Sequence, residues 1–220
     1  MIDLAVARRM MVDGQVRPAD VTDLRLIDAM LDLPREAFLP PQLADLAYLD
    51  RDLPIPAADG ERCLLRSTLL ARMIQALELT GSEAVLDVGS LTGYSAALLA
   101  GLAGRVVALE QDAALVRMAE DNLRRHGVTN VMCVHGPLVL GWPDTGPYDA
   151  IILEGATEIP PQALLAQLND GGRLIGVFGR GPSAKAMLYR SFNGVASGRP
   201  IFDAAAPLLP GFAELPAFVF

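Results

Sequence analysis

Between Ala84 and Phe178, five short runs that are apolar at nearly every position alternate with longer stretches of helical periodicity. The short runs are Ala84–Val88, Val106–Glu110, Val131–His135, Ala150–Glu154 and Arg173–Phe178. Between them lie Tyr94–Ala103, Ala113–His126 and Pro161–Leu168, whose apolar residues recur at helical spacing. A strand that is apolar throughout, rather than at every second residue, is covered on both faces. Strands and helices that alternate in this way predict an α/β fold with a mostly parallel sheet and right-handed crossovers. Beyond it, Ala186–Ser191, the turn pair Asn193–Gly194 and Pro216–Phe220 read as an antiparallel edge.

The first third of the chain has a different texture. Asp20–Leu39 predicts a helix with Thr22 as N-cap, Leu26, Ile27, Met30 and Leu31 at helical spacing, and Pro34 as its stop. Pro40, Pro41, Pro54 and Pro56 mark a connection. Leu64–Leu79 is again helical, with Leu69, Leu70, Met73, Ile74 and Leu77 on one face. The expected organisation is a helical cap over 1–79 packed on an α/β core over 80–220, effectively one domain. No internal repeat and no long linker divides it.

Composition excludes several classes. With 52% apolar residues and 20% charged, the chain is neither disordered nor low-complexity. A net charge of −8 argues against a nucleic-acid partner, because phosphate binding needs a basic surface. No apolar stretch reaches a membrane span, and Asp3, Arg8, Arg9 and Asp13 interrupt any signal-peptide layout, so a cytoplasmic protein is expected. Cys63 and Cys133 are too few for a disulfide framework or a zinc site, and no metal is expected.

In an open parallel sheet, ligands collect beyond the carboxyl ends of the strands. The first strand of the series ends in Asp87-Val88-Gly89-Ser90-Leu91-Thr92-Gly93, and glycines there let a ligand approach the backbone. Glu110 ends the next strand, about 20 positions after Gly89, where an acid can accept hydrogen bonds from both ribose hydroxyls. Loop and acid together point to a nucleoside cofactor; the plainer reading is a tight turn and a surface glutamate. A dinucleotide fingerprint would place glycines at 91 and 94, which are Leu91 and Tyr94, so a nicotinamide-dependent dehydrogenase is disfavoured. The spacing Asp-x-Gly-x-x-x-Gly is similar to the glycine loop of methyltransferases that use S-adenosylmethionine.

Over nearly its whole length the chain resembles the protein-L-isoaspartate O-methyltransferase family. The segments that carry the resemblance are Val21–Met30 with Pro34–Pro40, Leu46–Ile55, Val85–Gly89 with Thr92–Ala100, Leu140–Pro143 (Leu-Gly-Trp-Pro), Pro147–Ile152, Glu158–Leu168 and Gly171–Leu174. The resemblance implies a Rossmann-like methyltransferase core with an N-terminal helical cap. It implies transfer of a methyl group from S-adenosylmethionine to the carboxylate of an isoaspartyl residue in a damaged protein or peptide. By motif position, Asp87, Gly89, Ser90, Thr92, Gly93, Glu110 and Gly136 would bind the cofactor.

Three positions depart from the family pattern. Leu91 replaces the middle glycine, where a side chain would crowd the ligand or push the turn outward. Pro137 follows Gly136 where the family carries an aspartate that reads adenine. Leu65 and Ser67 stand at the serine and proline of the family's Ile-Ser-x-Pro motif, whose serine helps position the acceptor carboxylate; Arg66 and Ser67 are the adjacent substitutes.

These departures keep three readings open: an isoaspartyl methyltransferase, a paralogue that retained the fold and lost the chemistry, and a methyltransferase of another carboxylate held by Arg66. No catalytic residue is assigned and no oligomeric state is implied. His126 reads as a helix-end residue, Cys133 and His135 as core of a buried strand, and Arg8, Arg9 and Arg17 as a solvated face. Asp149 is ambiguous, and Glu154 stands between a site residue and a solvated rim.

Overall fold

A computed structural model describes residues 3–58 and 60–214 of the chain. Its seven-stranded sheet contains β3 (Ala84–Val88), β4 (Arg105–Glu110), β5 (Val131–His135), β6 (Tyr148–Thr157), β7 (Leu168–Phe178), β8 (Lys185–Phe192) and β9 (Val195–Asp203), in the order β5-β4-β3-β6-β7-β8-β9. Strands β3 to β7 run parallel, and β8 and β9 are antiparallel. β3 lies inside the parallel part and is buried at all of its positions, as a run that is apolar everywhere but Asp87 requires. The helices α4 (Tyr94–Ala100), α5 (Ala113–Arg125) and α6 (Gln162–Leu165) sit within the predicted stretches. α6 is shorter than expected because Leu168 already pairs with Tyr148 as the start of β7.

One expectation about the sheet is corrected here. β5 is an edge strand, so of Cys133 and His135 the first is half-buried and the second exposed, its Nε2 lying 3.0 Å from the Gln111 carbonyl. The partner of β8 at the other edge is β9, while Pro216–Phe220 lies outside the described residues.

The N-terminal third contributes α1 (Leu4–Met11), α2 (Leu24–Asp32) and α3 (Ser67–Ala76). Asp23, not Thr22, caps α2, accepting from the Arg25 amide at 3.0 Å. His126 does stand at the C-terminal end of α5, stacked on Phe38. The proline-marked connection hides a hairpin, β1 (Leu53–Ala57) against β2 (Gly60–Leu64). Pro54 and Pro56 are tolerated because the hairpin is a two-stranded ribbon with no second neighbour to need their missing N–H groups. Leu53 and Ile55 point inward, and Ile55 faces Arg62 across the pair. This hairpin also delays α3 to Ser67. Met11, Leu26, Phe38, Leu53 and Leu64 share one apolar cluster with Ala96, Leu98 and Ile152 of the α/β core.

Two features shape the carboxyl end of the sheet. β6 slips register against β7 between Ile152 and Ala156, a stretch that carries Glu154 and Gly155. Residues 204–212 then return over that end as a strap. The Ala156 amide donates to the Pro207 carbonyl at 2.7 Å, the Leu209 amide to the Ala156 carbonyl at 2.9 Å, and the Glu158 amide to the Phe212 carbonyl at 2.9 Å.

Candidate active site

The chain leaves β3 through Gly89 (φ +86°), Ser90, Leu91 (φ +51°), Thr92 and Gly93 (φ +89°) before entering α4. Positive φ is free for the two glycines and strained for Leu91. Leu91 is nevertheless buried, at 1% exposure, and belongs to the main apolar cluster. Its amide donates to Glu110 Oε2 at 3.1 Å. The side chain thus packs into the core, and the left-handed turn is held by Glu110.

Glu110, at the end of β4, is a hub. Its Oε1 accepts from Arg62 Nη1 at 2.8 Å, from the Gln111 amide at 2.8 Å and from the Asp112 amide at 3.2 Å. The ion pair is sealed: the Arg62 side chain is 4% exposed and that of Glu110 1%. Arg62 comes from β2, and the hairpin that carries it is fastened over α5, because the Ala58 amide donates to Asp112 Oδ2 at 2.6 Å.

The space above Gly89 is defined by what a side chain there would strike. A Cβ at Gly89 would lie 2.8 Å from Arg62 Nη2, 3.2 Å from Leu209 Cδ2 of the strap and 3.7 Å from Glu154 Cβ. The other two glycines face elsewhere. Gly93 is turned toward Ala119 and Leu123 of α5, and Gly136 toward Trp142 and Leu109. Each shapes a turn or a packing contact.

Two more carboxylates close the interior. Asp87 accepts from Ser95 Oγ at 2.7 Å through Oδ2. Burial pushes its carboxyl up to about 7 against that hydrogen bond, and the charge of Glu110 adds to the rise. Glu154 is held well above the usual carboxylate range by burial and by Asp87, while Arg35 and Arg62 oppose the shift. Glu154 is therefore an interior residue and not a solvated rim. Arg35 is fully buried, donating to the carbonyls of Ala47 and Leu65 at 2.9 and 2.7 Å, with its guanidinium 4.9 Å from the Tyr94 ring centre.

Several buried polar atoms of these strand ends, the loop after β3 and the two arginines have no hydrogen-bond partner: Asp87 Oδ1, Glu154 Oε1, Ser90 Oγ, Thr92 Oγ1, Arg35 Nη1 and Arg62 Nη2. Native interiors rarely leave such groups orphaned, and a cluster of them marks a place built for a polar guest. The donor set suits an adenosyl-bearing ligand: a glycine cradle, Glu110 at the second strand end, and unpaired carboxylate and hydroxyl groups between β3 and β6. The Arg62 guanidinium stands in that cradle.

Of the residues read from sequence as cofactor-binding, Asp87, Gly89 and Glu110 gather around one interior, Ser90 and Thr92 are buried in the adjoining loop with unpartnered hydroxyls, and Gly93 and Gly136 face other packing contacts. Leu65 is buried in the apolar cluster and offers only its carbonyl, to Arg35. Ser67 Oγ is buried without a partner, and Arg66 is committed to Asp52 at 3.2 Å and to the Ala205 carbonyl at 3.2 Å. Asp149 serves structure, accepting from the Ala84 amide at 2.8 Å. Sequence reasoning missed Arg62 and Leu209, both delivered from outside the strand–helix series.

Residues 8–195 match the family described as protein-L-isoaspartate(D-aspartate) O-methyltransferase. The chain belongs to this family. A protein-L-isoaspartate O-methyltransferase 1 of Rhodopseudomonas palustris is 40% identical over 84% of the chain and 74% of its own length. A protein-L-isoaspartate O-methyltransferase of Methanoculleus marisnigri is 39% identical over 78% of the chain and 77% of its own length. A solved protein-L-isoaspartate O-methyltransferase superposes with a TM-score of 0.80 at 26% identity, covering 93% of this chain and 66% of that one. A Plasmodium falciparum structure of the same kind, in complex with S-adenosyl-L-homocysteine, shares the fold with a TM-score of 0.75 at 20% identity over 92% of this chain and 97% of that one. The Rossmann-like methyltransferase fold expected from the sequence is the observed one. The strap at 204–212 lies beyond the matched residues. No helix among the described residues is long and apolar enough to cross a membrane.

Proposed function

We propose that the chain is an S-adenosylmethionine-dependent O-methyltransferase whose acceptor is the carboxylate of an isoaspartyl residue in a protein or peptide. The observation that carries this reading is membership of the family across residues 8–195, with the strand-end groups Asp87, Gly89 and Glu110 gathered around one interior. Bound there, the cofactor would supply a methyl group already activated by its sulfonium. Such a transfer needs no strong base, so alignment of donor and acceptor carries most of the effect.

Each residue then has a task that its position supports. Glu110 accepts ribose hydroxyls, and Gly89 lets the ligand meet the backbone. Asp87 and Glu154, both held toward their neutral forms, present hydrogen-bonding groups without filling the interior with negative charge. The strap and the hairpin exclude water from the reacting groups.

A second reading, a paralogue that kept the fold without isoaspartyl methylation, is favoured by Leu65, which cannot donate a hydrogen bond where the family motif has serine. Titration calorimetry with S-adenosylhomocysteine and methyl transfer to an isoaspartyl peptide separate the two. Binding with turnover is expected. Binding without turnover, restored by Leu65→Ser with Ser67→Pro, would favour the paralogue, and no binding at all would refute the methyltransferase reading.

A further inference from the structure

Arg62 occupies the place the nucleoside must take. Its Nη1 is bound to Glu110, the acid at the ribose position, and its Nη2 lies 2.8 Å from where a Gly89 Cβ would stand. A guanidinium with one nitrogen tied and the other orphaned is half-satisfied in a buried site. Glu110 is better provided, since the amides of Leu91, Gln111 and Asp112 would still serve it with Arg62 gone. The pair is therefore built to open from the arginine side.

An acceptor carboxylate brings a charge problem. A further carboxylate buried beside Glu110 needs a cation, because an unpaired charge out of water is costly. Arg35 is pinned between the Ala47 and Leu65 carbonyls, and Arg66 between Asp52 and Ala205. The serine position of the family motif is the apolar Leu65. Arg62, packed over Gly89 beside Glu154, is the cation whose partner the ribose would take over.

We infer that Arg62 is an exchanging positioning residue: it holds Glu110 in the free chain and, displaced from it by the cofactor's ribose, receives the acceptor's carboxylate. This rests on the methyltransferase reading above. Three consequences follow. Cofactor binds before acceptor. The free chain closes its own nucleoside seat. An anionic acceptor is selected over its neutral amide counterpart.

The test compares the wild type with Arg62→Gln and Arg62→Lys. With the internal competitor gone, Arg62→Gln is expected to bind S-adenosylhomocysteine about tenfold more tightly, as a seat closed about nine-tenths of the time requires. The same variant is expected to raise KM for an isoaspartyl peptide by about tenfold or more while kcat moves far less, with Arg62→Lys recovering part of the KM loss. A purely structural role would not tighten the nucleoside while weakening the peptide. In the unaltered chain, the Arg62 Nε–H resonance should shift on adding S-adenosylhomocysteine, a readout that stands even if a variant fails to fold. Equal or weaker nucleoside affinity in Arg62→Gln, an unmoved peptide KM, or a static Arg62 resonance would each overturn the exchange while leaving the methyltransferase reading intact. Failure of both wild type and variant to bind S-adenosylhomocysteine would remove that reading and the exchange with it.

Discussion

The Arg62–Glu110 pair makes an asymmetric double-mutant cycle. Both side chains are almost wholly buried, and removing one partner of such a pair typically costs about 3–5 kcal/mol because the other charge stays behind. Here the two halves differ. Without Arg62, Glu110 keeps three backbone N–H donors, which places Arg62→Met below that range, at about 2 kcal/mol. Without the Glu110 charge, Arg62 loses its carboxylate while Nη2 is already orphaned, so Glu110→Gln should cost about 4 kcal/mol. The double variant removes both charges and should cost about 3 kcal/mol, leaving a coupling of about 3 kcal/mol. Urea unfolding followed by far-ultraviolet circular dichroism, at constant m-value, measures all four corners. Burial predicts that the coupling barely responds to salt. A coupling below about 0.5 kcal/mol, or Arg62→Met costing more than Glu110→Gln, would refute the reasoning.

Leu91→Gly relieves about 1 kcal/mol of left-handed strain but deletes a buried leucine worth about 2–5 kcal/mol, so net destabilisation of about 2–3 kcal/mol is expected in urea unfolding; a more stable variant would show that the side chain is not packed usefully. Burial works against ionisation of Glu83, but hydrogen bonds from the Thr80 and Gly81 backbone and from Arg173 win and lower its carboxyl from 4.5 to about 2. A lowered folded value gives stability that is present above pH 4.5 and lost as pH falls toward 2. Glu83→Gln should flatten that acid limb by about 2 kcal/mol, and an unchanged limb would exonerate Glu83. Asp87 has the opposite sign: with its carboxyl raised from 3.8 to about 7, its contribution is full below pH 3.8 and lost as pH rises through 7. Asp87→Asn should therefore gain stability relative to the wild type at pH 8 by up to about 4 kcal/mol, and a variant that is weaker there would contradict the assignment.

The parallel core was legible because β3, β4 and β6 are covered on both faces and carry a nearly continuous apolar signature. Asp87, Gly89 and Glu110 were legible for a related reason: the strand ends fix where polar residues can meet a ligand. The hairpin was not. Its prolines imitate a loop, and only the burial of Leu53 and Ile55, a property of tertiary packing, makes it a ribbon. Arg62 looks like any charged strand residue, and nothing local announces a partner 48 positions away. Leu91 misled for a geometric reason. A residue aligned with a ligand-facing glycine can turn its side chain to the core when the backbone adopts positive φ, which the Glu110 bond to its amide supports. Leu209 belongs to a segment without regular periodicity, so its place above Gly89 comes from main-chain bonds that no residue pattern encodes.

Those main-chain bonds give the strap an evolutionary property of its own. The bonds of Pro207, Leu209 and Phe212 to the end of β6 use backbone atoms, and hence are indifferent to which side chain stands at position 209. The constraint falls on the opposite surface: a Cβ at Gly155 would come within 2.7 Å of Leu209 Cγ and 2.8 Å of the Pro207 carbonyl. One glycine keeps the strap seated, and the residue it delivers is held by burial among Leu153 and Phe212 to apolar side chains. A lineage can thus reshape the contact over Gly89 by exchanging one apolar side chain for another at 209, while the main-chain bonds that seat the strap stay as they were.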